Sequence, residues 1–204
     1  MTRNDSNSLP NHLIVMAIAQ ESRGRLEAAR APLLYTGVGK VNAAMSLARH
    51  LAEIRSQSRT LPLVINLGTA GSRTIGAGTL VACNRFSQRD MDVTAMGFAR
   101  GETPFDATPA VIETPVVFSA LPHVTCSTAD SFATDQHAVD GDVVDMEAFA
   151  LARVCLAEGA SFACAKFVTD GADGSAANDW TQALERAARA FAHLYTSSLR
   201  SPAE

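Results

Sequence analysis

The residues of this chain best suited to chemistry are carboxylates placed where strands end. Val143-Val144-Asp145-Met146-Glu147-Ala148-Phe149-Ala150 sets an acidic pair around a methionine where an apolar strand runs into a helix expected over 145–158. Acids in a first helical turn are favoured by its free N–H groups and by the helix dipole, so capping alone accounts for either residue taken singly. A second acidic cluster, Thr169-Asp170-Gly171-Ala172-Asp173-Gly174, follows directly after the apolar run 162–168. Open α/β sheets bind ligands outside the carboxyl ends of their strands, so two such ends close in sequence suggest one site. Gln20-Glu21 marks the end of a third buried run, 13–19.

Two further segments follow expected strands. Small residues in Gly68-Thr69-Ala70-Gly71-Ser72 would let backbone N–H groups approach a ligand, or serve only a tight turn. In Asp130-Ser131-Phe132 the phenylalanine is suited either to stacking on a flat ligand or to filling the core. Other motifs fail on spacing. Gly37-x-Gly39-Lys40 lacks the leading glycine and the trailing Ser or Thr of a phosphate loop, having Leu34 and Val41 instead. Asp170-x-x-Asp173-Gly174 misses the alternating ligands of a calcium loop. His12, His50, His123, His137 and His193 show no paired zinc spacing, and Ser72 and Ser131 lack a hydrolase elbow. No metal or cofactor is implied.

The elements that must position these residues alternate. Continuous apolar runs at 13–19, 63–67 and 161–168 read as strands buried on both faces. Short strands are expected at 33–36, at 79–82 with an extension toward 86, at 116–120 and at 123–127, and helices at 22–30, 41–55, 145–158 and 179–198. Proline, glycine and alternating charge make 100–115 the least regular stretch. This alternation means an α/β fold with a largely parallel sheet.

With 204 residues, 47% hydrophobic and 19% charged, one domain with a full core suffices. A net charge of −4 and a pI near 5.7 give no basic surface for nucleic acid or an anionic membrane. Cys83, Cys126, Cys155 and Cys164 are widely spaced and read as reduced core thiols. No run approaches a membrane span, and the polar residues 1–11 read as a flexible tail without an apolar signal segment. A cytoplasmic protein is expected.

Taken in order, the segments resemble the bacterial 5′-methylthioadenosine/S-adenosylhomocysteine nucleosidases within the nucleoside phosphorylase family. The resemblance runs through Ala17-Ile18-Ala19-Gln20-Glu21, Gly37-Val38-Gly39-Lys40-Val41, Ile65-Asn66-Leu67-Gly68-Thr69-Ala70-Gly71 and Asp92-Val93-Thr94-Ala95-Met96-Gly97-Phe98. Ala129-Asp130-Ser131-Phe132, Val144-Asp145-Met146-Glu147-Ala148 and Thr169-Asp170-Gly171-Ala172-Asp173 extend it. It implies a single-domain three-layer α/β/α sandwich over 12–200 with a mixed, largely parallel sheet, and a homodimer without cofactor. It also implies hydrolysis of the N-glycosidic bond of a 5′-modified purine nucleoside, as in methionine salvage.

Glycosidic cleavage develops positive charge on the ribose and negative charge on the base, so it calls for an acid at the base and anions near the sugar. By resemblance, Asp170 is the acid toward N7, its pKa needing to be raised by burial or by a neighbour such as Asp173. Glu21 is the base that activates water. Glu147 binds the ribose hydroxyls and favours the cationic sugar, Met146 packs on the ribose, and Asp145 keeps a capping and supporting role. Phe132 and Ala133 stack on the base, Thr69, Ala70 and Gly71 form the backbone loop beneath the nucleoside, and Thr169 adjoins it. Trp180 stands where an aromatic lid is expected, although packing on its own domain is an equal reading.

Asn66 occupies the position of a phosphate-gripping arginine in the hexameric phosphorylases, which favours hydrolysis over phosphorolysis. Arg23 and Arg25 remain as possible anion ligands. The stretches between Glu21 and Gly37 and between Gly101 and Cys126 are compact, and Lys166 replaces an arginine common in the nucleosidases. The alternatives are a purine nucleoside phosphorylase, a futalosine hydrolase and a non-catalytic nucleoside-binding protein.

Overall fold

The computed structural model describes residues 11–131, 141–171 and 180–199, with the side chains of Asp170, Trp180 and Thr181 outside that description. The first apolar run forms β1 only over His12–Met16. The chain then makes two single helical turns, α1 (Ala19–Ser22) and α2 (Arg25–Ala28). Between them Arg23 and Gly24 take φ of 48° and 75°. That left-handed pair ends one turn and starts the next, so the helix expected over 22–30 is broken, and Glu21 lies inside α1.

β2 (Leu33–Tyr35) leads into α3 (Lys40–Ser56), and β3 (Leu63–Gly71) into β4 (Leu80–Gln88). β5 (Val111–Glu113) is short, and β6 (His123–Thr128) precedes β7 (Val143–Asp145). α4 (Ala148–Glu158), β8 (Phe162–Asp170) and α5 (Trp180–Leu194) follow, the last closing in a π-helical turn at Tyr195–Leu199. The strand expected at 116–120 does not form. Pro115 and Pro122 flank that segment, Phe118 is buried, and Leu121 N–H donates to the Phe118 carbonyl (3.1 Å) in a turn.

Period-two alternation divides β1 and β3 between two cores. Leu13, Val15 and Val64 pack with Leu47 and Leu51 of α3 and Leu151 of α4. Ile14, Met16, Ile65 and Leu67 pack with Ala187 and Phe191 of α5. Helices therefore cover both faces, as a three-layer sandwich requires. The four cysteines are free and buried.

The sheet is mixed. β1 pairs in parallel with β2 and β3, β3 with β8, and β6 with β4 and β7, whereas β4 runs antiparallel to β5 and β8. An antiparallel bridge from Gly71 to Val144 joins β3 back to β7, closing a ring through β8, β4 and β6. Gly71 is also registered with Asp170 across an irregularity in the β3–β8 ladder. The ends of β3, β7 and β8 thus meet at one residue.

Candidate active site

Glu21 reaches the site from α1, which is too short to be held by its own hydrogen bonds. Side chains fix the turns around it. Ser22 Oγ donates to Glu27 Oε2 (2.7 Å), and the Tyr35 hydroxyl donates to the same carboxylate. Arg23 and Arg25 both engage Glu185 of α5, at 2.9 and 2.5 Å. They are committed to docking these turns on α5 rather than standing open for an anion.

Glu21 is buried, with Oε1 accepting from Thr69 N–H (2.7 Å) and Thr69 Oγ1–H (2.9 Å). Its other oxygen, Oε2, is buried with no hydrogen-bond partner among the described residues. Burial raises its pKa against the lowering influence of the Thr69 N–H and of Lys166.

Gly68 explains how these groups come so close. A Cβ there would stand 3.2 Å from Lys166 Nζ and 3.4 Å from Glu21 Oε1, so the missing side chain is the space those two charged groups occupy. Gly68 to Gly71 belong to β3 and not to a loop following it, because β8 stays registered alongside to Asp170. The Thr69 N–H, expected to face a ligand, is used by Glu21.

Lys166 lies in the middle of β8 and is 1% exposed. Its ammonium is 2.8 Å from Asp145 Oδ2, with both side chains inaccessible to solvent. Such a pair persists only when its remaining polar valences are met. Thr128 Oγ1–H donates to Asp145 Oδ1 (2.6 Å), and Ala148 N–H donates to Asp145 Oδ2 (2.8 Å). Burial works to raise the Asp145 pKa, but Lys166 and these donors outweigh it and hold the carboxyl below its usual range. Burial opposes the ammonium too, yet Asp145 and its other neighbours hold Lys166 well above the usual lysine value.

Asp145 and Glu147 do not open the helix as expected. Asp145 ends β7, and α4 starts at Ala148 with Glu147 as a residue of non-helical φ/ψ (−135°, −33°) that makes no side-chain cap bond. Asp145 does support the helix start through Ala148 N–H, so its capping role holds in a shifted frame. Glu147 is released from capping and buried, with Oε1 accepting from Gly39 N–H (2.9 Å). Burial, then the nearby Asp145 charge, raises its pKa to about 7. Met146 is half-buried between these two acids.

The structure therefore brings Glu21, Lys166, Asp145 and Glu147 together around Gly68 and the end of β3. The Asp170 backbone ends β8 opposite Gly71, and Thr169 Oγ1–H donates to the Ala70 carbonyl (3.4 Å). Asp173, Phe132 and Ala133 lie outside the described residues, and Trp180 is described only as the first residue of α5. Asn66 is a core residue. Its Nδ2–H donates to the Val15 carbonyl (3.1 Å), and its Oδ1 accepts from Cys164 Sγ–H (3.4 Å).

The Lys166–Asp145 pair stands outside the residues expected to build the site. A lysine inside the apolar strand run 162–168 was the available signal, since a buried ammonium must be paired. The Gly39 contact to Glu147 spans 108 residues, and no local pattern encodes it.

A strand ring flanked by two helical layers, with carboxylates gathered where β3, β7 and β8 end, defines an α/β fold of the nucleoside phosphorylase type. The chain belongs to the phosphorylase superfamily, whose family model matches residues 20–200. It is 35% identical over 206 aligned residues to the 5′-methylthioadenosine/S-adenosylhomocysteine nucleosidase of Geobacillus kaustophilus, covering 91% of this chain and 86% of that one. In fold it is similar to the S-adenosylhomocysteine nucleosidase of Streptococcus pyogenes in complex with 5-methylthiotubericidin. That likeness has a TM-score of 0.76 at 22% identity and covers 97% of this chain and 100% of the other. A futalosine hydrolase mutant of Helicobacter pylori shares the fold with a TM-score of 0.79 at 19% identity, covering 92% and 97%.

Proposed function

We propose that this protein hydrolyses the N-glycosidic bond of a 5′-modified purine nucleoside of the 5′-methylthioadenosine or S-adenosylhomocysteine type. The observation that carries this reading is Glu21, a buried carboxylate with one oxygen fixed by Thr69 and the other unpartnered, beside Lys166 and close to Glu147. A carboxylate destabilised by burial is a stronger base than one in water.

In the proposed reaction a water oxygen bonds to the anomeric carbon as the bond to the purine N9 breaks. The water proton passes to Glu21. The bonding electron pair leaves with the purine, which Asp170 protonates at N7. Glu147 holds the ribose hydroxyls and offsets the positive charge that builds on the sugar. Met146 packs on the ribose, Phe132 and Ala133 flank the base, Thr69, Ala70, Gly71 and Thr169 line the floor, and Trp180 borders the entrance.

Hydrolysis is favoured over phosphorolysis because Asn66 is bonded into the core and Arg23 and Arg25 are occupied by Glu185. The domain is proposed to span 12–200 and the protein to act in the cytoplasm. A homodimer is supported by apolar side chains left exposed at the start of α3, Val41 at 74% and Met45 at 53%, and by Met96 at 66%.

The test is adenine release from 5′-methylthioadenosine, with S-adenosylhomocysteine and futalosine as parallel substrates, each with and without inorganic phosphate. Release without phosphate supports the reading. Strict phosphate dependence would make the protein a phosphorylase. Turnover of futalosine alone would move the assignment to futalosine hydrolysis, and binding without cleavage of any of them would remove the enzymatic reading.

A further inference from the structure

Gly39 has φ 93° and ψ 158°, a region open essentially to glycine alone. An L side chain there is strained by the backbone, and its Cβ would also lie 3.0 Å from Asp130 Oδ1. This costly conformation has a specific result. It aims the Gly39 N–H at Glu147 Oε1 (2.9 Å), while the next N–H, that of Lys40, donates to Asp130 Oδ1 (2.7 Å).

The turn is tied down a third time. Lys40 Nζ pairs with Asp90 Oδ1 (2.6 Å), and Asp90 Oδ2 accepts from Asp130 N–H (3.0 Å). One turn at the head of α3 therefore links residues that follow β4, β6 and β7. Among the described residues Gly39 is the hydrogen-bond donor to the Glu147 side chain. With Oε1 held, Oε2 is the oxygen left for a ligand.

We propose that the Gly39–Lys40 turn, braced by Asp130, is a positioning element that fixes the Glu147 carboxylate for the ribose hydroxyls. The inference rests on the nucleosidase reading above and extends it to residues with no contact to the reacting bond. The turn acts through Glu147, so its effect should depend on the hydroxyls that Glu147 is built to bind. Damage to the fold would lower turnover of every nucleoside alike.

The test compares kcat/KM for 5′-methylthioadenosine and its 2′-deoxy counterpart in Gly39→Ala and Asp130→Ala, beside a ¹³C-carboxyl titration of Glu147 that needs no turnover. Loss of a hydrogen bond to a charged group predicts a fall of about 10- to 100-fold for the ribonucleoside in Gly39→Ala and a smaller fall for the deoxy substrate, which keeps only the 3′-hydroxyl for Glu147 to hold. Asp130→Ala keeps the glycine and removes only the brace, so it should fold where the alanine variant does not. It should shift the same ratio by about fivefold, as loss of one neutral-donor bond at a distance would. The Glu147 titration should move upward in Gly39→Ala, because the N–H favours the ionised form.

A ribo-to-deoxy ratio unchanged in Asp130→Ala and in any folded Gly39→Ala protein overturns the proposal. Wild-type protein that cleaves neither substrate would instead sink the nucleosidase reading beneath it, even if the titration moved as expected.

Discussion

Glu147 should be a residue that the fold holds at a cost, and Glu147→Gln should expose that cost. The residue is 9% exposed and its carboxyl pKa is raised from 4.5 to about 7, by burial first and then by Asp145. The folded state binds this proton more tightly than the unfolded chain does. The resulting stability is fully present below pH 4.5 and is lost as pH rises through about 7. At about 1.4 kcal/mol per tenfold change in ionisation constant, the full effect is about 3 kcal/mol, of which about 2.5 kcal/mol falls between pH 5 and pH 8. Glutamine keeps an acceptor for Gly39 N–H and removes the charge. The variant should therefore gain on the wild type by about 2.5 kcal/mol from pH 5 to pH 8, or about 5–10 °C in Tm for a chain of this size. Thermal unfolding of both proteins at the two pH values reads the effect of Glu147 together with the groups it is coupled to, because titrating groups that do not interact with it cancel in the double difference. The same variant should lose adenine release, having neither the charge nor the acceptor geometry for the ribose. If wild type and variant lose or gain stability in parallel across that range, Glu147 is not a strained carboxylate and the reasoning fails.

The other predictions concern groups around it. Lys166→Met should cost about 3–5 kcal/mol in urea unfolding, because it strands a buried Asp145, and the Asp145→Asn/Lys166→Met double variant should recover most of that loss without recovering activity. The part that Asp145 contributes is present above its unfolded pKa of 3.8 and is lost as pH falls through its lower folded value, so the double variant should be less acid-sensitive than the wild type. Glu21→Gln should lower the rate of adenine release by about 10²- to 10⁴-fold with an unchanged far-UV spectrum; a smaller loss would mean that another group takes the water proton. Asp170→Asn should cost a comparable factor while 5′-methylthioadenosine still binds, as read by equilibrium titration, and wild-type rates in this variant would exclude it as the acid.

The parts of this fold legible in the sequence are those set by local pattern. Apolar runs buried on both faces marked β3 and β8, and the period of α3 matched the buried Leu47 and Leu51. Where one backbone dihedral decides the outcome, pattern was a poor guide. A helix over 22–30 is sensible by composition, but Arg23 at φ 48° and Gly24 at φ 75° divide it, and that division turns Glu21 inward. The apolar stretch at 116–120 has strand composition without a partner to pair with, and the prolines beside it remove the donors a partner would need.

Glu21 and Glu147 were legible as acids at strand ends, but what makes them a site was not. β3 reads as ending at Leu67, whereas pairing with β8 carries it to Gly71, where the bridge to Val144 closes the ring. The same β3–β8 pairing sets Lys166 beside Gly68, and the ammonium then divides the three acids by ionisation. It ion-pairs with Asp145, whose carboxyl is held below its usual range, while Glu21 and Glu147 remain raised by burial. One acid is thereby held ionised by the lysine, and the other two carry raised pKa values, as the proposed roles of Glu21 and Glu147 require. The division follows from long-range geometry that no spacing within the chain expresses. It also explains why the three carboxylates are not interchangeable: exchanging Asp145 for a neutral residue removes the direct ion pair of the buried lysine, whereas exchanging Glu21 or Glu147 leaves that pair in place and changes only the longer-range field around it.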